Sequence, residues 1–256
     1  MLAAVALSLL VGITPLPAND TIKVKVGSPL LDASYFRPHA ARVRVYRGPE
    51  GSAPVSEWTN ELTLADSAGR AIHRWVTRGT RTTPNGTTTW ELLQTYDAKT
   101  LQPYAYLRRS SDGGFTQFSW DGKRVHGSRK APQDSVARPF EQTVDQPGFF
   151  AGASDLVPLA AGLKRGVIVS APVWSPGMQQ TQTRTFIVIG KSTVNVEGTP
   201  VESWKVEERM PDGKLYANWY LLDRIPYMVY GEVMLPDGSV QRMTEVTIPA
   251  LSQDKR

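Results

Sequence analysis

The chain has 256 residues, of which 41% are apolar and 9% are aromatic, so it is long enough to bury one sizeable core. Its 29 basic and 24 acidic residues give a formal charge of +5, but the basic residues are dispersed and form no run typical of a nucleic-acid patch. We therefore expect no nucleic-acid partner. The chain contains no cysteine, which excludes a thiol nucleophile, a thiolate metal site and a disulfide framework.

The N-terminal residues are typical of a secretory signal peptide. Residues 2–13 form an apolar run, LAAVALSLLVGI, and Ala18 offers a small residue for cleavage. The run is shorter than the ~17 residues that a membrane-spanning helix needs, so we expect removal of residues 1–18 and no transmembrane segment in the mature chain. No Lys or Arg precedes the run, which departs from the usual signal pattern, and a buried terminal helix is the alternative. The prediction is a periplasmic or secreted protein.

The remainder of the chain has the pattern of an antiparallel β protein. Turns that contain glycine and proline occur at short intervals, and apolar residues alternate with polar ones between them, as in ARVRVYR from Ala41 and TTTWELLQTY from Thr87. We expect an N-terminal extension or linker over residues 19–42, a single antiparallel β-barrel-like domain over residues 43–250 and a tail over residues 251–256.

The Asp212-Gly213 pair predicts a two-residue hairpin turn, which fixes the pairing of the strands on either side. Counting outward places Trp204 opposite Leu221 and Val206 opposite Trp219. These four apolar side chains would then share one face. Two further Asp-Gly turns give pairs by the same count: Leu235 with Val240 around Asp237-Gly238, and Phe118 with Val125 around Asp121-Gly122.

Helix is scarce in the sequence. The best candidate is Ala153–Leu163, where Pro158 limits the helix to a turn or two and Gly162 marks its end. So little helix cannot cover the apolar face of a sheet of about ten strands, so the sheet must either curl on itself into a barrel or half-barrel or split into a sandwich. The predicted fold class is all-β with one or two short helices, an antiparallel curled sheet that forms an open or half barrel.

Five segments between residues 95 and 233 resemble the bacterial family called domain of unknown function 3108. They are TYDAKTLQPYAYLRR, GGFTQFSWDGKRVHG, DLVPLAAGL, EGTPVESWKVEER and ANWYLLDRIPYMVYGEV. The resemblance extends from about Glu57 to Ile248. It implies the open β-barrel fold of periplasmic lipoprotein carriers, which hold acyl chains on a concave sheet, and it carries over no catalytic residue.

The sequence offers no recognisable catalytic or metal-binding motif. The three histidines, His39, His73 and His126, are far apart, and neither a nucleophile elbow nor a phosphate-binding glycine loop is present. We therefore expect no metal, no cofactor and no enzyme activity. One enzymatic alternative stays open: Glu207 or Glu245 could meet another carboxylate across strands, as in a glycosidase.

The aromatic residues suggest a ligand lining. The residues that we predict to line it are Trp219, Leu221, Trp204, Val206, Tyr104, Tyr106 and Arg108. Among them, Trp204 is expected in the core and Trp219 at the lining, while Tyr104 and Tyr106 would share a face that ends in the Arg108 cation, where an anionic head would fit. The predicted function is an exported, non-catalytic protein that binds or carries a lipid or another amphiphile in the cell envelope. The alternative is a module that docks another envelope protein and has no small ligand.

Overall fold

The structure is a computed structural model that describes residues 21–49, 51–83 and 86–249. The expected signal peptide, residues 1–18, and the expected tail, residues 251–256, lie outside the described residues. No helix in the described ranges is long and apolar enough to cross a membrane.

Sixteen strands of the described residues form one sheet. The strands are β1 (Thr21–Lys23), β2 (His39–Arg47), β3 (Ser56–Ser67), β4 (Arg70–Thr83), β5 (Gly86–Asp97), β6 (Pro103–Ser110), β7 (Phe115–Asp121), β8 (Arg124–Lys130), β9 (Arg138–Thr143), β10 (Phe149–Phe150), β11 (Ile168–Trp174), β12 (Gln182–Val196), β13 (Thr199–Arg209), β14 (Leu215–Leu221), β15 (Met228–Met234) and β16 (Val240–Ile248). A 3-10 helix (Ala151–Ala153) and one α-helix, α1 (Leu156–Ala161), lie between β10 and β11.

The sheet consists of two runs of sequential strands joined by one long-range pair. β2 to β9 follow one another in order, as do β11 to β16, and β16 pairs with β2 to make the sheet continuous. Neighbouring strands are antiparallel except at one end, where β1 and β10 both pair in parallel with β11. The predicted all-β fold with an antiparallel sheet is confirmed.

The sheet curls until its two ends approach, but it does not close into a barrel. Gln142 of β9 donates from Nε2 to the carbonyl oxygens of Met178 and Gln179, at 2.7 and 2.6 Å, in the loop that joins β11 to β12. The Thr181 hydroxyl donates to the Gln146 carbonyl oxygen at 2.6 Å. Side-chain hydrogen bonds therefore span the seam between β9 and β11, as expected for an open barrel.

The expectation that residues 19–42 form an extension or linker is wrong for the part that the structure describes. Leu31 and Ala33 are fully buried, Phe36 is 1% exposed, and β1 pairs with β11. Four apolar side chains of this segment belong to the main hydrophobic core: Val24, Leu31, Ala33 and Phe36. The segment is part of the domain.

The short helix predicted within Ala153–Leu163 is confirmed, and α1 has the expected length of a turn or two. A 3-10 turn precedes α1, and α1 ends at Gly162, whose φ of 96° lies outside the helical region. Five of the six residues of α1 are buried, so the helix serves as packing inside the curled sheet.

The structure confirms one of the three predicted hairpin registers. Trp204 pairs with Leu221 and Val206 with Trp219, as predicted. The turn nevertheless has three residues, because the Met210 amide donates to the Lys214 carbonyl oxygen, and a bulge beside Glu208 restores the predicted pairing.

The other two registers are wrong. At the Asp237-Gly238 hairpin the loop also has three residues, but no bulge restores the predicted register. Met234 therefore pairs with Val240, where the sequence predicted Leu235. At the hairpin predicted around Asp121-Gly122, the turn lies one residue later than expected, at Gly122-Lys123. Trp120 therefore faces Val125, and Phe118 faces Gly127.

Candidate functional site

A cavity of about 330 Å³ opens on the inner face of the sheet. Its wall carries four tryptophans from four strands: Trp58, Trp75, Trp90 and Trp219. Polar side chains interrupt this wall, and they are Asn60, Thr77, Gln94, Asp155, Gln241 and Glu245. We call this space the tryptophan cavity.

Gly79 allows two of these tryptophans to lie across neighbouring strands. Trp58 and Trp90 pair with Gly79 from either side. A Cβ atom at position 79 would lie 2.7 Å from Trp90 Cζ2 and 2.9 Å from Trp58 Cβ, closer than real contacts allow. The missing side chain is therefore what brings the two rings to a centroid distance of 6.1 Å.

Trp219 is held by a second glycine and by a buried carboxyl group. A Cβ atom at Gly231, its partner on β15, would lie 2.9 Å from Trp219 Cζ3. The indole Nε1–H donates to Glu208 Oε2 at 2.8 Å. The ring is fixed at one edge and supported on one face, and it is 8% exposed.

Glu208 lies behind the cavity wall, and both of its carboxylate oxygens have partners. Besides the Trp219 indole, Arg184 Nη1 lies 3.4 Å from Glu208 Oε1, and both side chains of this ion pair are buried. The Ser154 hydroxyl is 3.5 Å from Oε2. Burial raises the pKa of Glu208, and the hydrogen bond from Trp219 and the Arg184 charge oppose that shift.

Glu245 faces the cavity with far fewer partners. It is 3% exposed, and among the described residues its hydrogen bond is one long contact, 3.5 Å from Asn60 Nδ2 to Glu245 Oε2. The Thr77 hydroxyl donates to Asn60 Oδ1 at 2.9 Å, which turns the Asn60 amide nitrogen toward the carboxyl group. Thr77, Asn60 and Glu245 thus form a short polar chain.

The two acidic groups of the cavity hold their protons unusually strongly. Burial raises the pKa of Glu245 to about 8, with a further contribution from the nearby Asp155 charge. Burial likewise raises the pKa of Asp155, which is half-buried at the start of α1, to about 7. Both carboxyl groups exchange protons near neutral pH, where they can donate a hydrogen bond or take up a negative charge.

A second hollow, of about 540 Å³, lies on the outer face of the sheet. The end of the β12–β13 hairpin covers it, and Glu197 in that hairpin is paired with Arg42 at 3.0 Å and with Arg44 at 3.1 Å. Glu197 therefore has two cationic partners, whereas Glu245 has one long contact with a neutral amide. The tryptophan cavity is the stronger candidate site.

Of the four predicted lining residues in the β13–β14 hairpin, only one lines the tryptophan cavity. Trp219 lines the tryptophan cavity, whereas Val206 and Leu221 are fully buried and lie outside its lining. Trp204 is half-buried, with the Lys191 ammonium 4.5 Å from its ring centroid. That any of these side chains contacts a ligand stays a prediction.

The structure separates Tyr104 from the other two residues of the predicted stripe, whereas Tyr106 and Arg108 share one face and are joined by a side-chain hydrogen bond. A bulge opposite Tyr96 interrupts the alternation of β6. The Tyr104 hydroxyl therefore donates to Asp97 Oδ2 at 3.2 Å, while Tyr106 stacks on Phe118 with ring centroids 4.6 Å apart. The Arg108 guanidinium lies 5.8 Å from the Trp90 ring centroid, beside the cavity wall.

Sequence reasoning missed most of the cavity. Trp58, Trp75, Trp90, Asn60 and Asp155 were not singled out, and Glu245 entered only as a possible paired carboxylate. The Ala68-Gly69 pair between the alternating stretches of β3 and β4 was an available signal, because a two-residue turn at that place pairs Trp58 with Gly79. Glu207, the other carboxylate singled out, instead lies 2.6 Å from Arg209 Nη2.

Comparison with known proteins places the chain in a family. No curated protein matches its sequence. A solved β-barrel-like protein of domain of unknown function DUF1849 from Brucella abortus is similar in structure, with a TM-score of 0.48 and 9% sequence identity over 83% of this chain and 98% of that chain. The model of the family described as protein of unknown function (DUF3108) matches residues 42–244, and the chain belongs to this family.

Proposed function

We propose that the protein binds an amphiphilic or apolar ligand in the tryptophan cavity and does so without catalysis. The observation that carries this proposal is the cavity wall, where four tryptophans meet on the inner face of the sheet around about 330 Å³ of space. Tryptophan offers a large rigid apolar surface, and ligand sites are typically concave and mostly apolar with a few polar groups. The polar groups that would orient the ligand are Asn60, Gln94 and Glu245.

The size of the cavity limits the ligand. A volume of about 330 Å³ lies at the lower end of the usual range for small-molecule sites. We propose a single short chain or ring system with one polar end. A lipid with two long chains would have to leave part of its apolar surface outside.

We further propose that the protein works outside the cytoplasm, in the periplasm or after secretion. The support is the apolar run at residues 2–13 followed by Ala18. N-terminal sequencing of the protein from an envelope fraction should give a mature chain that begins near residue 19. A cytoplasmic protein that retains Met1 would contradict the proposed location.

Mass spectrometry of small molecules that co-purify with the protein from its native cells tests the binding function. We expect a bound amphiphile that is displaced when Trp75 is replaced by leucine, because this substitution removes part of the cavity wall. Trp204→Leu is the matched control, since Trp204 lies outside the cavity lining. Absence of any bound molecule, with both variants behaving alike in titrations with amphiphiles, would leave the protein-docking alternative.

A further inference from the structure

The charges of the tryptophan cavity narrow the chemistry of its ligand. Among its described lining residues are two carboxyl groups, Asp155 and Glu245, and no Lys, Arg or His. This contrasts with the whole chain, whose formal charge is +5. An anionic head placed in the cavity would face acidic groups and no lining cation.

Glu245 supplies the decisive observation. A carboxyl group that is 97% buried normally has several hydrogen-bond partners or an ion pair, because burying a charge without them is costly. Glu208, an equally buried carboxyl group nearby, has Arg184 and the Trp219 indole. Glu245 has a single long contact, from Asn60, and lines the cavity.

The aromatic wall supplies the second half of a cation site. The face of a tryptophan ring attracts an ammonium group within about 6 Å of its centroid, and attraction increases where water is excluded. The protein already uses this interaction twice at tryptophans, since Lys191 lies over Trp204 and Arg108 over Trp90. Trp58, Trp75 and Trp219 have no such cation among the described residues, and all three line the cavity.

We infer that the ligand of the tryptophan cavity carries an organic ammonium group, which lies against the tryptophan rings with the Glu245 and Asp155 carboxylates as its counter-charges. This inference rests on the proposed binding function and specifies its ligand class. The rest of the ligand, neutral and apolar, would contact the remaining apolar wall.

Proton binding should be coupled to the binding of such a cation. With a pKa of about 8, the free Glu245 is mostly protonated at pH 7, and because the proton must leave before a cation can pair with the carboxylate, the observed affinity for a cation at pH 7 is about tenfold lower than at high pH. The charged groups near it are Asp155 at the start of α1 and, behind the wall, the Glu208–Arg184 pair. Affinity for a cation should therefore rise between pH 6.5 and pH 8.5.

Calorimetric titration of the purified mature protein with three probes of equal chain length tests the inference. The probes are octyltrimethylammonium, 1-octanol and octanoate, each below its aggregation concentration. We expect the ammonium probe to bind at least about tenfold more tightly than the alcohol, and octanoate to bind most weakly. Glu245→Gln should lower the affinity for the ammonium probe at pH 8.5 about tenfold and reduce its pH dependence, and the dependence that remains should follow Asp155.

Two further variants complete the experiment: the first is a second test of the site, and the other is a control for net charge. Asp155→Asn should weaken ammonium binding in the same direction, so the test does not depend on one variant. Glu141→Gln makes the same change in net charge at an exposed position of β9 and should leave every affinity within about twofold. Circular dichroism confirms that each variant is folded.

The outcomes separate this inference from the proposed function. Equal binding of all three probes, tighter binding of octanoate, or unchanged ammonium binding in Glu245→Gln would overturn the ammonium site and leave a general amphiphile site. If no probe binds and no molecule co-purifies, both proposals fail.

Discussion

Glu208 and Glu245 are the same residue type and are 1% and 3% exposed, yet their surroundings differ. Glu208 is neutralised by Arg184 and accepts a hydrogen bond from Trp219, so it belongs to the structure of the wall. Glu245 has one long contact and a pKa raised to about 8. The first carboxyl group should stabilise the fold that contains it, and the second should cost stability when charged.

Loss of the Glu208 carboxyl group should destabilise the protein. Glu208→Leu leaves the Arg184 guanidinium buried without its counter-charge, which typically costs about 3–5 kcal/mol. The double variant Arg184→Met, Glu208→Leu removes both charges and should recover most of that loss. Urea denaturation measures both free energies of unfolding, and a double variant less stable than the single one would contradict this account.

Glu245 should make stability fall as pH rises. Its pKa is about 8 in the folded protein and close to the ordinary value of 4.5 in the unfolded chain, so the folded state binds the proton more tightly. The contribution of the protonated Glu245 to the free energy of unfolding is complete below pH 4.5, declines as pH rises toward 8 and is lost above that. Asp155, with a folded pKa of about 7, acts in the same direction over a lower range.

The measurement is the free energy of unfolding between pH 5.5 and pH 8.5 without ligand. Glu245→Gln should reduce the decline of the wild-type protein by about 3 kcal/mol, because glutamine has no proton to lose. The exposed Glu141→Gln variant should decline like the wild type. A Glu245→Gln variant with the full wild-type decline would show that Glu245 has an ordinary pKa.

At the scale of elements, tryptophans and glycines pair across adjacent strands. Gly79 lies between Trp58 and Trp90, and Gly231 lies beside Trp219. Each glycine lacks the side chain that would push the ring away from the sheet. The shape of the cavity therefore depends on two residues that contribute no side chain to it.

Substitution of Gly231 should disturb Trp219 without removing it. Gly231→Ala places a methyl group where the indole lies and should destabilise the protein by about 1–3 kcal/mol, with a changed tryptophan emission spectrum. Gly152→Ala is the control, because its Cβ would meet only Gln94, at an ordinary 3.8 Å. Equal stability of the two variants would mean that the Trp219 ring can move away from the added methyl group at little energetic cost.

The hairpins show how far the sequence predicts these elements. Alternation and turn residues predict the strands, because the period of two follows directly from the pleat of a sheet. They do not predict loop length: two loops with Asp-Gly have three residues, and the register survives only where a bulge restores it beside Glu208. The cavity was less predictable, since its wall joins β3, β4, β5, β14 and β16, whose contacts are set by the curl of the sheet.

At the scale of the whole molecule, the N-terminal segment is part of the core. Leu30 and Leu31 are neighbours in sequence, but Leu30 is 59% exposed and Leu31 is fully buried. This pair allows a test of the segment in which the amino-acid change is identical and only burial differs.

Leu31→Ala should destabilise the protein by about 2–5 kcal/mol, because it removes buried surface and leaves a cavity, whereas Leu30→Ala should change stability by less than about 0.5 kcal/mol. Thermal or urea unfolding of the mature chain measures both. Similar small effects for the two variants would restore the interpretation of this segment as a linker.

The pairing of β2 with β16 also fixes when the chain can fold. Ala40, near the start of the described chain, pairs with Ile248, near its end. A chain that emerges with its N-terminus first must keep one edge of β2 unpaired until β16 has been synthesised, and such long-range pairing is intrinsically slow. A chain truncated after Gly238 should lose cooperative unfolding throughout, β2 to β9 included. Until β16 pairs with β2, the tryptophans of the inner wall belong to an incomplete sheet, and their exposed apolar surface should favour aggregation.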